Sequence, residues 1–191
     1  MTLYITLLIL IPTIWLAFEI GLVIKDHSRG KGKTIRDKGT RFFNFVAITF
    51  GITAAAILNG IQKFVFPGGK TSTVFFVGIA IMLTGMALRY WAVVTLGASF
   101  RTTIETESGQ KVISAGPYKL IRHPSYSGWL LICIGYGIAV QNWLSLIVAV
   151  SLPLTALLYR IHAEEKALIS TLGSDYVEYQ KRTKRLIPRV W

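Results

Sequence analysis

Gly116–Gly128, GPYKLIRHPSYSG, is the stretch from which the rest of the chain is read. It gathers glycine, proline, two tyrosines, arginine and histidine into thirteen residues between two apolar regions. Pro124 keeps His123 out of helical backbone and suits the first position of a following helix, where its missing N–H costs nothing. That helix start offers unpaired N–H groups and a partial positive charge to an anionic group. Tyr118 and Tyr126 offer flat faces and hydroxyls, suited to stacking on an adenine or touching a sulfonium. The competing reading of the same residues is an interfacial Tyr/Arg belt, common in membrane proteins.

A second polar cluster follows the last apolar hairpin: Arg160, His162, Glu164 and Glu165. Arg160 and Glu164 are four apart and share one helix face, whereas His162 and Glu165 point elsewhere. Such a pair on a surface is worth only about 0.3–0.5 kcal/mol. Its position gives it more interest, because the hairpin returns it to the membrane side of Arg122-His123.

Working outward, the 191 residues are 52% hydrophobic and 16% charged, with mean hydropathy +0.52. This is a membrane composition. The net charge of +12 lies in segments between apolar runs, where it orients a membrane protein and meets anionic lipid. No basic face or reading motif points to nucleic acid. The start, MTLYITLLIL, lacks a positive leader and reads as a first membrane helix rather than a signal peptide.

Five spans are expected: Thr2–Ile24, Phe42 to about Phe66, Thr73–Leu96, Tyr126–Val140 and Trp143–Arg160. The fold class is therefore all-α and integral to the membrane. Residues 1–96 read as a three-helix scaffold and 97–191 as the catalytic half, within one folded unit. Gly78 and Gly85 mark places where another helix can come close. Glu19 reads either as an interfacial carboxylate or as a functional one. Arg89 reads first as snorkelling to the interface, with pairing to Glu19 or to a ligand carboxylate as the alternative. Cys133, the single cysteine, reads as a small buried hydrophobe.

The segment Lys25–Arg41 carries seven Lys/Arg against two Asp, whereas Phe64–Thr73 carries only Lys70 and the Gln141-Asn142 turn none. The positive-inside rule then puts the N-terminus outside and both polar clusters in the cytoplasm. Motifs for a dinucleotide fold, a P-loop, a zinc protease or a serine hydrolase are missing. Three scattered histidines do not make a metal site.

GPYKLIRHPSYSGW, followed by RIHAEEKALISTLGSDYVEYQKRTKRLIP, resembles the isoprenylcysteine carboxyl methyltransferase family. The shared features are G-x-Y-x-x-x-R-H-P-x-Y-x-G, the Glu-Glu pair, G-x-x-Y-x-x-Y and a closing R-L-I-P, spread over Gly97–Pro188. The resemblance implies a cytosol-facing pocket for S-adenosylmethionine, with S-adenosylhomocysteine as product. It also implies closure by the C-terminal segment and an opening toward lipid for a prenyl chain. Carried over, the cofactor touches Gln110, Lys111, Val112 and Ile113, then Tyr118, His123, Pro124, Ser125 and Tyr126, and finally Glu164. Arg160 faces the substrate carboxylate, and Arg122 either positions the substrate or braces Glu164. Thr103 stands where better-known members have Gln.

Three other readings stay open on sequence. A phospholipid N-methyltransferase would need a base for its amine. An NADPH-dependent membrane sterol reductase would need a nicotinamide cofactor. A lipid-binding scaffold would bind no adenosyl cofactor.

Overall fold

The computed structural model describes residues 2–27, 34–35, 39–68, 70–102, 105–106 and 111–191. Among the described residues six α-helices carry the fold: α1 Thr2–His27, α2 Thr40–Leu58, α3 Ser72–Leu96, α4 Pro124–Val140, α5 Trp143–Leu172 and α6 Ser174–Arg182. Thr34–Ile35 and Glu105–Thr106 form a two-residue antiparallel pairing. α1, α3 and α5 are long and apolar enough to cross a membrane, and the apolar stretches of α2 and α4 are shorter. Their outer faces expose large apolar side chains such as Ile9, Phe50, Ile57, Tyr90 and Ile147. Such a surface is suited to lipid rather than water.

The five expected spans correspond to α1–α5, with altered ends. α2 stops at Leu58 rather than near Phe66, because Asn59-Gly60 breaks it and a short 3-10 turn, Gln62–Phe64, follows. α5 does not stop at Arg160. Between Arg160 and Gly173 there is no Gly or Pro to break it, and Gly173, with φ of +58°, ends it. This extension lifts both glutamates of the second cluster on a continuous helix.

α3 and α4 pack antiparallel through glycines. A methyl group on Gly78 would lie 2.4 Å from the Ala139 nitrogen, and one on Gly85 would lie 2.7 Å from the Gly128 carbonyl. Gly128 and Gly135 answer from α4 in the same register, as the close approach expected at Gly78 and Gly85 requires. Cys133 lies in this core as a buried free thiol.

α2 packs on α5, where Gly51 meets Pro153 and the Ser145 hydroxyl donates to the Ala55 carbonyl at 2.8 Å. The α4–α5 turn is polar but well paired. Asn142 caps α5 by accepting from the Ser145 N–H at 3.1 Å, and its amide donates to the Ile61 carbonyl at 3.0 Å. α1 buries one narrow stripe, Ile11, Trp15 and Glu19 at four-residue spacing, and then Asp26 near its end.

At the opposite end from that turn, the last residues return as a strap. The Arg122 N–H donates to the Lys184 carbonyl at 2.7 Å and the His123 N–H to the Arg185 carbonyl at 3.0 Å. The Ser127 hydroxyl donates to the Leu186 carbonyl at 2.7 Å. The C-terminal segment is thereby laced along the decisive stretch.

Candidate active site

His123 has φ −124° and ψ 54°, and α4 begins at Pro124, as the Pro rule requires. Beneath this helix start lies a cavity of about 430 Å³. Its polar end is formed by Tyr118, Arg122, His123, Tyr126, Arg160 and Glu164. α6 closes over it with Tyr176 and Tyr179. Apolar side chains also line it, among them Leu16, Ile20 and Val23 of α1 and Phe42, Phe45 and Ile48 of α2.

Arg160 and Glu164 are brought together, but not as a simple ion pair. The Tyr126 hydroxyl stands between them, accepting from Arg160 Nε at 2.8 Å and donating to Glu164 Oε2 at 2.6 Å. Arg160 Nη2 also donates to the Thr102 carbonyl at 2.6 Å. Thr102 is in turn held by Asp26 of α1, whose Oδ2 accepts from its N–H at 2.7 Å and from its hydroxyl. Arg160 is 4% exposed, so the guanidinium is a buried cation held by oriented oxygens. The Tyr126 ring stacks on His123 (5.4 Å between centroids, 9° between planes) and on Trp129 (5.7 Å). Its hydroxyl is therefore the group that organises the site.

Glu165 points off the Arg160–Glu164 face and does not line the cavity, as its helix position suggested, yet it is not left in solvent. It is buried, and its Oε1 accepts from Arg122 Nε at 2.8 Å and lies 3.3 Å from His123 Nε2. Its Oε2 accepts from Arg185 Nε at 3.1 Å. Arg122 thus braces Glu165 rather than Glu164, and it also donates to the Gln180 and Thr183 carbonyls at the end of α6. The strap makes an inner surface out of what would otherwise be the helix's solvent face. His162 is exposed, as its position indicated.

Arg89 does not snorkel. It is 3% exposed and forms a two-point ion pair with Glu19, while Nη1 donates to the Ser125 hydroxyl oxygen. Glu19 also accepts from the indoles of Trp15 at 3.1 Å and Trp129 at 2.8 Å. The partner that keeps Arg89 inside is a carboxylate at its own depth, which snorkelling cannot better.

Of the residues expected at the cofactor, Lys111, Val112, Ile113, Tyr118, His123, Ser125, Tyr126 and Glu164 line this cavity. Pro124 is buried in the helix start instead. Gln110 and Thr103 lie outside the described residues. Burial pushes the hydroxyls of Tyr118 and Tyr176 above the ordinary phenol range, and that of Tyr179 to about 12, so all three are neutral at physiological pH. The Tyr179 hydroxyl donates to the Tyr118 carbonyl at 2.7 Å and ties α6 to the decisive stretch. Among the described residues, no group of three or more His, Cys, Asp and Glu could hold a metal ion.

Residues 77–170 match the model of the isoprenylcysteine carboxyl methyltransferase family. Protein-S-isoprenylcysteine O-methyltransferase B of Arabidopsis thaliana is 34% identical over 115 residues, covering 59% of this chain and 58% of that protein. The Xenopus laevis protein-S-isoprenylcysteine O-methyltransferase is 30% identical over 131 residues, covering 67% and 46%. The Homo sapiens enzyme of the same name is 33% identical over 116 residues, covering 58% and 40%. The chain thus spans about half the length of these curated relatives. A solved structure of the eukaryotic intramembrane Ras methyltransferase of this family superposes with TM-score 0.66 at 28% identity, covering 74% of this chain and 52% of that one. Residues 77–170, which carry Arg89, the GPYKLIRHPSYSG stretch, Arg160 and both glutamates, are a region of the isoprenylcysteine carboxyl methyltransferase family, and the chain is a multi-pass integral membrane protein of that fold.

Proposed function

We propose that this protein transfers a methyl group from S-adenosylmethionine to the carboxylate of a prenylated cysteine or a similar lipid-like acceptor. One observation carries the reading. A single cavity is lined both by apolar side chains of α1 and α2 and by the polar group Arg160, Tyr126 and Glu164. A substrate with a prenyl tail and a carboxylate head has that same division.

The cavity suits the cofactor. Its volume of about 430 Å³ lies within the usual range for small-molecule sites, about 300–1,000 Å³. Glu164 is partly exposed and offers a carboxylate to an amino group or a ribose. Tyr118, Tyr176 and Tyr179 are neutral donors with apolar faces, and Lys111–Ile113, His123 and Ser125 complete the wall. When bound, S-adenosylmethionine supplies a methyl group on a positively charged sulfur and leaves as S-adenosylhomocysteine.

The acceptor carboxylate is ionised at neutral pH and needs no base. The protein's task is orientation and exclusion of water, which can lower the barrier by several kcal/mol, on the order of 5 or more. Arg160 holds the carboxylate through its planar fork. Tyr126 and Thr102 fix that fork in place, so it is oriented before substrate arrives. Arg122 acts from behind, locking Glu165 and the strap so that α6 covers the cofactor. Residues 97–191 supply most of the polar lining, with residues 1–96 giving the apolar walls and the Glu19–Arg89 pair.

The excess of Lys and Arg around the α1–α2 and α3–α4 connections and the C-terminal segment supports a cytoplasmic site and an N-terminus outside. Cys133 is buried, so a cysteine introduced at Glu178 can be labelled in intact and opened cells. Labelling by an impermeant reagent in intact cells would reverse this orientation.

The reaction is tested with purified protein in lipid, methyl-labelled S-adenosylmethionine and farnesylated N-acetylcysteine. Release of labelled methanol by base is expected and establishes an ester. Base-stable label in lipid would assign a phospholipid N-methyltransferase instead, and absence of cofactor binding would remove the methyltransferase reading.

A further inference from the structure

The Glu19–Arg89 pair lines the cavity yet has no part in the chemistry above. A buried ion pair adds little net stability, because desolvation offsets its attraction. Apolar residues would join α1 to α3 at least as well. Ionisable groups at membrane depth mark function by default, and here the geometry shows which function.

Two arms of Arg89 hold Glu19, with Nη2 donating to Oε2 at 2.6 Å and Nε to Oε1. Stacking fixes the plane of the guanidinium, whose carbon lies 4.2 Å from the Trp129 ring centroid. The third arm, Nη1, donates to the Ser125 hydroxyl oxygen. Ser125 is the second residue of α4, is buried and lines the cavity. A serine or threonine hydroxyl on a helix ordinarily turns back to the carbonyl four residues earlier, as that of Thr84 does toward Ala80 at 2.9 Å. At Ser125 the oxygen accepts from a cation. Its hydrogen is left to be donated, and the cation makes that hydroxyl a better donor. Glu19 neutralises Arg89, so the guanidinium does not itself capture a passing anion.

The geometry points to Glu19 and Arg89 as positioning residues that set Ser125 as a hydrogen-bond donor to an oxygen of the bound methyl donor. A carboxylate oxygen fits best: the Tyr126 and Ser127 N–H groups are spent on the His123 carbonyl, but the partial positive charge at the start of α4 still favours an anion beside the Ser125 hydroxyl. The inference rests on the methyl-donor reading above. It gives α1, which lies wholly before the matched residues 77–170, a part in the site.

The test is a double-mutant cycle on S-adenosylmethionine affinity, measured by calorimetry on protein in lipid nanodiscs. Ser125→Ala and Arg89→Lys are each expected to weaken binding about tenfold. Lysine keeps the charge beside Glu19 but cannot reach Glu19 and Ser125 together. The double variant is expected to bind no worse than Ser125→Ala, because Arg89 acts through that hydroxyl. A double variant weakened about a hundredfold, the additive result, would show an independent structural role and overturn the inference. So would Arg89→Lys binding as wild type. Should Arg89→Lys fail to fold, Glu19→Gln/Arg89→Gln removes both charges and enters the same cycle. Failure of the wild-type protein to bind S-adenosylmethionine removes the proposed function itself, and this inference with it.

Discussion

Removing one oxygen atom, by Tyr126→Phe, tests the organisation of the site. That oxygen accepts from Arg160 Nε at 2.8 Å and donates to Glu164 Oε2 at 2.6 Å. Both partners are charged, and a hydrogen bond to a charged group is worth about 1.5–3 kcal/mol. The ring's stacking on His123 and Trp129 does not involve the hydroxyl, so the fold should survive with little change in melting temperature. What changes is the relation between residues four apart on one helix face. Without the intervening hydroxyl, Arg160 and Glu164 close on each other as an i,i+4 pair. The guanidinium then no longer presents its fork to a carboxylate, and Glu164 withdraws from the cofactor. A loss of about 2–3 kcal/mol corresponds to roughly a 30- to 150-fold fall in kcat/KM. The assay is release of base-labile methyl from farnesylated N-acetylcysteine. Tyr159→Phe, which alters an exposed ring nearby, serves as the control. In Tyr126→Phe/Glu164→Gln the neutral amide cannot trap Arg160, so the acceptor KM should improve relative to Tyr126→Phe alone. A Tyr126→Phe enzyme within threefold of wild type, or a double variant with no better KM, would refute the reasoning.

Gly78→Leu should prevent folding or sharply lower the melting temperature in detergent, since even a methyl there meets Ala139 backbone at 2.4 Å, whereas Gly21→Ala, with nothing within 4 Å, should be silent. Glu165→Gln leaves Arg122, His123 and Arg185 without their shared carboxylate, a loss of about 3–5 kcal/mol for a broken buried pair. It should release the strap, read as faster tryptic cleavage at Lys184 by mass spectrometry. Asn44 is buried on α2, and among the described residues neither of its amide atoms has a hydrogen-bond partner. Asn44→Leu removes that penalty, about 1–3 kcal/mol, and should raise the melting temperature; a lower one would show that the amide is needed.

The helices were legible from the sequence because lipid demands long apolar runs, and no loop could be mistaken for one. The interlocking of α3 and α4 was legible at Gly78 and Gly85, since glycines a helical repeat apart on one span let a neighbouring backbone come close. The start of α4 was legible from Pro124. Glu165 was not. Adjacent residues on a helix point about 100° apart, so a helix judged alone can turn only one of Glu164 and Glu165 toward the site. In the structure the neighbours differ on the two sides: the cavity takes Glu164, and the returning strap takes Glu165. Contact between residues 183–186 and the Leu120–Ser127 stretch runs mainly through backbone groups of the strap, which carry no side-chain signature. The role of the Tyr126 hydroxyl was hidden for a related reason. An i,i+4 Arg–Glu spacing reads as a direct pair, and only the third element in space shows what is inserted between them.

The pairing of Arg89 was closer to legible than the snorkelling reading allowed. α1 and α3 run in the same direction through the membrane, with one crossing between them, so their C-terminal ends lie on the same side. Glu19 is eight residues before the end of α1 at His27, and Arg89 is seven before the end of α3 at Leu96. At a rise of about 1.5 Å per residue, the two charges lie about 12 and 10 Å below those ends. Two opposite charges at matching depth in a five-span bundle have each other as the nearest relief from hydrocarbon, because reaching the interface would require Arg89 to extend across two turns of helix. Depth, which sequence supplies, therefore selects the partner. Rotation about the helix axis, which sequence supplies poorly for helices as evenly apolar as α1 and α3, decides what else the pair touches. Here that rotation brings Ser125 to the third arm of Arg89, and so ties the pair to the cavity rather than leaving it as a rivet between two helices.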